Sequence, residues 1–460
     1  MPSLGSILSI AASGLRTQQR AMEVTSHNLA NVNTEGYARQ RAELSALTPL
    51  RTPEGNFGTG VGIADVTRVA DRYAESGLRS ETALLGRHEA RGTLLERVEG
   101  ALNEPGEEGL GAALDRFFSA WSELSVEPGN RVARATVLDT GQRVVEELHR
   151  IDGQIEIVRT EAEARLTTGV EEVNALAGEV AKLNRRIVAA EAAGNTAGDL
   201  RDAQGRALAR LSELVPVTVL EQENGSVGVV VEGDRLVDGT SVRELTAFVS
   251  GSRLELRVGD SGVVAKLGGG ALRGFQDVVN EDLPAWRGEL DDLAAALVDE
   301  VNTLHRTGTN RAGATGVDFF DPTGITAGSV ALDAAVAGDP DALAAGTGTS
   351  DTPPAYRPGA ADVALELAGL RSTSISALGA TFGDHLGELA TDTGARVRRA
   401  GESAQVHRTL VDQWTVRRES VSGVSVDEEL LQLVKFQSAY AASARVVTTA
   451  DEMLATLLAM

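Results

Sequence analysis

The chain has 460 residues, too many for one compact core, so it is expected to divide into several domains. Its 43 Lys and Arg stand against 66 Asp and Glu, and a net charge of −23 argues against a general nucleic-acid surface. With no cysteine, the sequence excludes disulfide stapling, thiolate catalysis and Cys-ligated metal sites.

No apolar run approaches the ~20 residues that span a bilayer, so membrane insertion is not expected. The opening MPSLGSILSIAASGLRTQQR carries no basic residues ahead of its apolar ones, so a cleaved secretory signal is not expected either. Within it begins a stripe, Leu4, Leu8, Ala11, Leu15, Gln18, Met22, Thr25, Leu29 and Val32, spaced alternately by four and three residues. That is the rhythm of a coiled-coil helix. The helix runs into SHNLANVNTEGYARQ, Ser26 to Gln40, where Asn28, Asn31, Asn33, Thr34 and Gly36 compete with or loosen helical backbone. A Pro- and Gly-rich stretch, TPLRTPEGNFGTGVG, follows as loop or short strands.

Helical periodicity returns over 72–103, 110–125 and 130–192. In the longest, Val145, Leu148, Ile155, Ala162, Leu166, Val173, Leu176, Val180, Leu183 and Ile187 keep one stripe, which makes this part elongated. Residues 215–270 change character: β-branched residues punctuated by Asn224-Gly225 and Asp238-Gly239, with Leu254, Leu256 and Val258 alternating, predict a small antiparallel β domain. Another helix carries Trp286, Leu290, Leu293, Leu297, Val301 and Leu304. The Gly-, Ala-, Asp- and Pro-rich section after it is expected to complete the β domain with short strands and loops. The last hundred residues are helical: one helix from about 382 to 421, a break at Ser422-Gly423, and a final helix with Val426, Leu430, Leu433, Tyr440, Val447, Leu454 and Leu458.

The fold class is therefore mainly α with a β insertion, an elongated multi-domain chain. Three units are expected: 1–36 with 424–460 as paired terminal coiled-coil helices, 37–214 with 271–306 and 360–423 as a helical bundle body, and 215–270 with 307–359 as a β-rich outer domain. The polar Gln18, Thr25, Gln437 and Asp451 dilute the terminal stripes, so each helix should be weak alone.

Chemistry is harder to find. The six His (27, 88, 149, 305, 385 and 407) include no pair at metal-binding HxxxH spacing, and neither Gly58-Thr59-Gly60-Val61-Gly62 nor Gly268-Gly269-Gly270 has a P-loop lysine. Asp427, Glu428 and Glu429 open the last helix, where helix-dipole complementarity accounts for them. No catalytic, cofactor-binding or metal residue is assigned, and an enzyme is not expected.

The run Asn28-Leu29-Ala30-Asn31-Val32-Asn33-Thr34-Glu35-Gly36-Tyr37 matches in full the N-[LI]-A-N-x-x-T-x-G-[YF] motif, and at the other end Phe436-Gln437-Ser438-Ala439-Tyr440, Ser443-Ala444-Arg445 and Thr449-Ala450-Asp451-Glu452-Met453 match as well. Through these segments the chain resembles the axial family of the bacterial flagellum, its rod, hook and junction proteins. The Tyr37-Ala38-Arg39-Gln40 continuation and the long helical body favour the hook–filament junction branch. A hook or rod protein is the near alternative, and an intracellular helical scaffold the distant one.

The resemblance implies a structural subunit, exported without a cleaved signal peptide by flagellar type III export and placed outside the cell at the hook tip. It implies as partners other copies of the chain in a ring-like assembly, the hook protein, the next junction protein towards the filament, and an export chaperone at the C-terminal helix. Asn28, Leu29, Ala30, Asn31, Thr34, Gly36 and Tyr37 would form the assembly motif. Leu4, Leu8, Leu15, Met22 and Leu29 would pair with Leu430, Leu433, Tyr440, Val447, Leu454 and Leu458 in an inner coiled-coil layer. The motif then becomes the bend from that layer to the body. Gly36 is expected at φ > 0 in that bend, and Ala38 beyond it in extended backbone that would accept Val.

Overall fold

A computed structural model describes residues 4–52, 55–102, 106, 108–193, 196–259, 264–351 and 354–459. Helix α1 (Leu4–Ala30) is followed by an antiparallel ribbon in which β1 (Gln40–Ala46) pairs with β4 (Val61–Arg68), while β2 (Leu50–Thr52) pairs with β3 (Gly55–Phe57). Then come α2 (Arg72–Leu102), α3 (Leu110–Val126), α4 (Arg131–Ala192) and α5 (Gly198–Leu214). At 62 residues α4 is the long axis of the body, roughly 90 Å at 1.5 Å per residue. It starts where the Asn130 side chain accepts hydrogen bonds from the backbone N–H groups of Val132 and Ala133.

Strands β5 (Thr218–Glu221), β6 (Val227–Val231), β7 (Asp234–Asp238) and β8 (Ser241–Val242) form one antiparallel sheet in chain order. A hairpin of β9 (Leu245–Ser250) and β10 (Arg253–Val258) follows. Helix α6 (Ala271–Asp277) passes through one π-helical turn, Val278–Asp282, into α7 (Leu283–His305). After a long loop come α8 (Asp362–Gly369), α9 (Phe382–Ser422) and α10 (Val426–Leu458). Helix α9 is capped by Thr381, whose hydroxyl accepts from the Asp384 N–H. Among the described residues no helix is long and apolar enough to cross a membrane.

The core lies in the body. Phe117 and Trp121 of α3, His305 of α7, and Phe319 and Phe320 of the following loop form one aromatic cluster, with ring centroids 4.8–6.3 Å apart. Phe117, Trp121 and Phe319 are fully buried, and each such side chain contributes ~1.5–3 kcal/mol of hydrophobic stabilisation. The α4 stripe read from the sequence is buried, except that Leu176 is half-buried.

The section 307–359 does not extend the β sheet, contrary to expectation. Its backbone is held at the far end of the body: Arg134 of α4 donates to the Leu343 carbonyl at 2.7 Å, and His149 meets the Val330 carbonyl at 2.8 Å. The β unit hangs further along the same helix, where Asn174 and Asn184 bind the backbones of Leu245 and Val227. From His149 to Asn174 is ~37 Å of helix, so one ruler carries two separate attachments. The loop goes where it can bury Phe319 and Phe320, beside α3 and α7, and not where composition placed it.

A single device recurs in these attachments. Five helix-borne asparagines each use the side-chain amide as a stand-in peptide, donating to the carbonyl and accepting from the N–H of one residue. The pairs are Asn28 with Gln40, Asn174 with Leu245, Asn184 with Val227, Asn280 with Leu254 and Asn302 with Phe320. Each satisfies backbone groups that burial would otherwise leave unpaired.

Candidate assembly site at the Asn28 junction

Helix α1 ends because its own side chains take over its backbone bonds. Asn31 Nδ2 donates to the His27 carbonyl at 3.0 Å, and the Thr34 hydroxyl reaches Asn31 Oδ1 at 3.2 Å. The backbone turns twice more, Thr34 N–H to Asn31 O and Tyr37 N–H to Thr34 O, and Gly36 takes φ +72°. A side chain there would be strained by φ, and its Cβ would lie 2.8 Å from Arg206 Cγ.

The turn brings Asn28 back onto the chain that follows it. Asn28 is 1% exposed and makes four hydrogen bonds: to the Gln40 carbonyl (2.8 Å), to Glu429 Oε2 (3.0 Å), from the Gln40 N–H (2.9 Å) and from the Tyr37 hydroxyl (2.8 Å). Its amide is thereby saturated. Burial, with Asp202, Asp199 and Glu429 nearby, holds the Tyr37 phenol well above its ordinary pKa, so it remains a donor.

Arg39 closes the same knot from the other side. Its Nε meets Glu429 Oε1 at 2.7 Å, and NH1 meets Glu428 Oε2 at 2.8 Å. Its backbone N–H donates to Ser422 at the end of α9, and its carbonyl accepts from Val69 just past β4. Next to it, the Ala38 N–H donates to Asp202 Oδ2 at 3.3 Å. Asp202 also binds Arg68 Nε at 2.7 Å; burial raises its carboxyl above the ordinary range and the Arg68 contact opposes that rise. Four segments distant in sequence, 27–40, 68–69, 199–206 and 422–429, thus meet at one point.

From this point α1 and α10 run antiparallel, since Asn28 meets Glu429 while Gly14 lies against Ser443. The buried positions of α1 are Ala11, Ser13, Gly14, Thr17, Ala21, Thr25 and Asn28, small or polar throughout. Ser13 and Thr17 bind the backbone of Val61 in β4. A Cβ at Gly14 would come within 2.9 Å of Ser443 Oγ, so the glycine permits the close approach of the two helices.

The predicted site residues divide accordingly. Asn28, Asn31, Thr34, Gly36 and Tyr37 take part in the turn or the knot. Leu29 is half-buried and Ala30 exposed; the Leu29 carbonyl accepts from the Val32 N–H at 3.5 Å in the turn, and both side chains are apolar. In the stripes, Leu4, Leu8, Leu15, Met22 and Leu29 on α1 and Leu433, Val447 and Leu454 on α10 are half-buried flanks. Leu430, Tyr440 and Leu458 are 43%, 38% and 86% exposed, so within this chain they stand outside the seam. The buried face of α10 carries Glu429 and Ala450 instead. On α1 the seam keeps Ala11 and Thr25 of the predicted stripe but sets Gly14, Ala21 and Asn28, each one residue before Leu15, Met22 and Leu29, against α10, because small residues let the backbones close while leucines would hold them apart.

Two further expectations need correction. Ala38 is 2% exposed, with its N–H bonded to Asp202, so Val would be added to a buried site and not to open extended backbone. Glu428 and Glu429 are ion-paired to Arg39, a role beyond the helix dipole. Arg68 and Asp202 had no sequence signal and Glu429 only that of a helix-opening acid, whereas Arg39 and Gln40 lay in the Tyr-Ala-Arg-Gln continuation of the motif.

Comparison with known proteins agrees along the chain. Family models match in three places: flagella basal body rod protein at residues 8–37, flagellar hook-associated protein FlgK helical domain at 95–320, and flagellar basal body rod FlgEFG protein C-terminal at 418–460. The flagellar hook-associated protein 1 of Bacillus subtilis (strain 168) is 29% identical over 501 residues, covering 97% of this chain and 96% of that one. Its namesake from Escherichia coli (strain K12) is 23% identical, covering 99% of this chain and 100% of that one. The solved flagellar hook junction protein FlgK from Burkholderia pseudomallei shares the fold, with TM-score 0.64 and 16% identity over 75% of this chain and all of that one. Over almost its whole length the chain is similar in sequence to flagellar hook-associated protein 1, and its central helical region matches the helical-domain model of that family.

Proposed function

We propose that this chain is a structural subunit of the bacterial flagellum, assembled at the hook tip as an adaptor that joins hook to filament. The observation that carries the reading is the α1–α10 pair. It is locked by Asn28, Arg39 and Glu429, yet leaves Leu430, Leu431, Val434, Tyr440, Leu457 and Leu458 exposed. Exposed apolar patches of this kind mark interfaces. In the assembled state the terminal helices form an inner coiled-coil layer around the axis, and the Asn28 knot sets the angle at which each body leaves it. Copies of the chain are the lateral partners, with hook protein on one side and the next junction protein on the other.

The role is mechanical and not enzymatic. The location is extracellular, reached by type III export without a cleaved signal peptide, with an export chaperone covering the apolar face of α10 before assembly.

The three units proposed are the terminal pair, the helical body and a β-rich outer unit confined to 215–270. The test is removal of residues 430–460. The truncated body should keep its melting transition and fail to join hook and filament. A truncated protein that still restores filament attachment would overturn the reading.

A further inference from the structure

Of the three tryptophans, Trp121 and Trp286 are buried in the body, at 0% and 1% exposure. Trp414 lies on the outside of the α2–α9 pair and is half-buried. Its indole rests on Gly77 of α2, where a Cβ would fall 2.6 Å from Cε2. Tyr73 stands edge-on to it, with centroids 5.4 Å apart and planes at 69°. The Arg417 guanidinium lies 5.7 Å from both ring centroids, and its nearest carboxylate, Asp71, is 3.9 Å away. Tyr73 is 69% exposed, and the neighbouring Val416 is 66% exposed. In a chain with 3% aromatic residues, this pre-set Tyr, Trp and Arg cluster buries little of its own surface. These three residue types dominate the energetics of protein interfaces, where desolvation by a partner makes rigid aromatic anchors effective.

We propose that Tyr73, Trp414, Val416 and Arg417 form a lateral docking patch for the body of a second copy of this chain. The inference rests on the reading that α1 and α10 gather copies around an axis. Continuity argues for that occupant: α9 ends at Ser422, whose carbonyl accepts from Arg39 in the knot, and Arg417 is little more than one helical turn before it. Copies related by rotation about an axis meet at equal distances from it, so a patch beside the knot faces a neighbour's body beside its own knot. Charge argues the same way, since the patch presents a cation and a chain of net charge −23 presents an acidic body. The contact is heterologous, patch against a different surface, because copies that follow one another around a common axis meet head to tail.

The test places a photo-crosslinking amino acid at position 73 of the full chain in flagellate cells, and separately at position 457 on α10. Illumination should give adducts of two copies from position 73, mapped to an acidic body surface. Arg417→Glu and Tyr73→Ser should lower retention at hook tips roughly tenfold, while secretion and the melting temperature of the purified monomer stay unchanged. If position 457 joins copies and position 73 joins none, or joins only a different protein, the docking patch is overturned and the hook-tip reading stands. If neither position joins copies at hook tips, both are overturned.

Discussion

Asn28 and Asn302 make the same pair of bonds to a neighbouring backbone, but in opposite surroundings. Asn302 accepts from the N–H groups of both Phe319 and Phe320 and donates to the Phe320 carbonyl, with Trp121, Phe117 and His305 around it. Asn28 sits among Tyr37, Gln40, Arg39 and Glu429, on helices whose large apolar side chains are half-buried or exposed. One clamp closes an apolar core inside a single chain. The other is a polar lock that orients two helices while their apolar faces remain available to others. The body therefore holds its own stability, and the junction holds geometry.

The sharpest way to break the comparison is from the core side. Trp121→Ala should lower monomer stability by ~3–5 kcal/mol, read as a fall in the thermal midpoint. A midpoint shift as small as that of a terminal-helix variant would show that the body is not the seat of stability.

The next effect is acid sensitivity in that core. His305 donates from Nδ1 to the Val317 carbonyl and accepts at Nε2 from the Ala344 N–H, so the neutral ring uses both nitrogens. Burial lowers its pKa from 6.5 to about 4. The unfolded chain then binds the proton first as pH falls. This stabilisation is complete above the unfolded pKa and is lost as pH falls towards 4, up to roughly 3 kcal/mol. Between about pH 7 and about pH 4.5, the wild-type midpoint should fall further than that of His305→Gln. Parallel declines would remove His305 as the cause.

At the junction, Asn28→Ala leaves the Gln40 backbone groups unpaired, takes from the Tyr37 hydroxyl its shorter contact so that only His27 Nδ1 at 3.2 Å remains, and withdraws one donor from Glu429. The expected loss is ~1–3 kcal/mol, expressed in assembly. Filament attachment should fail while the body's midpoint holds. Normal motility would show that Arg39 alone orients Glu429.

The smallest contrast lies within the bend. Gly36→Val strains a backbone at φ +72°, and Ala38→Val overpacks a buried site; each costs ~1–3 kcal/mol. Both strains should lose motility to a similar degree. If Ala38→Val swims normally, the pocket beside Asp202 yields and only the glycine is required.

Periodicity in the sequence alone determined the long helices and the position of the β unit, though not the shorter α5, α6 and α8, because a buried stripe must recur at the helical or strand repeat wherever it packs. The Asn28–Tyr37 motif was legible for a related reason: local hydrogen bonding by Asn, Thr and Gly ends a helix without help from distant residues. The α1–α10 seam was not, since periodicity marks an apolar face and the close approach at Gly14 selects a small one. Nor could the sequence show that 307–359 caps the aromatic core, or that Glu429 meets Asn28 and Arg39 while Asp202 meets Ala38 and Arg68. Those contacts join residues separated by up to 401 positions, and only the packed chain brings such charges within 3.3 Å of their partners.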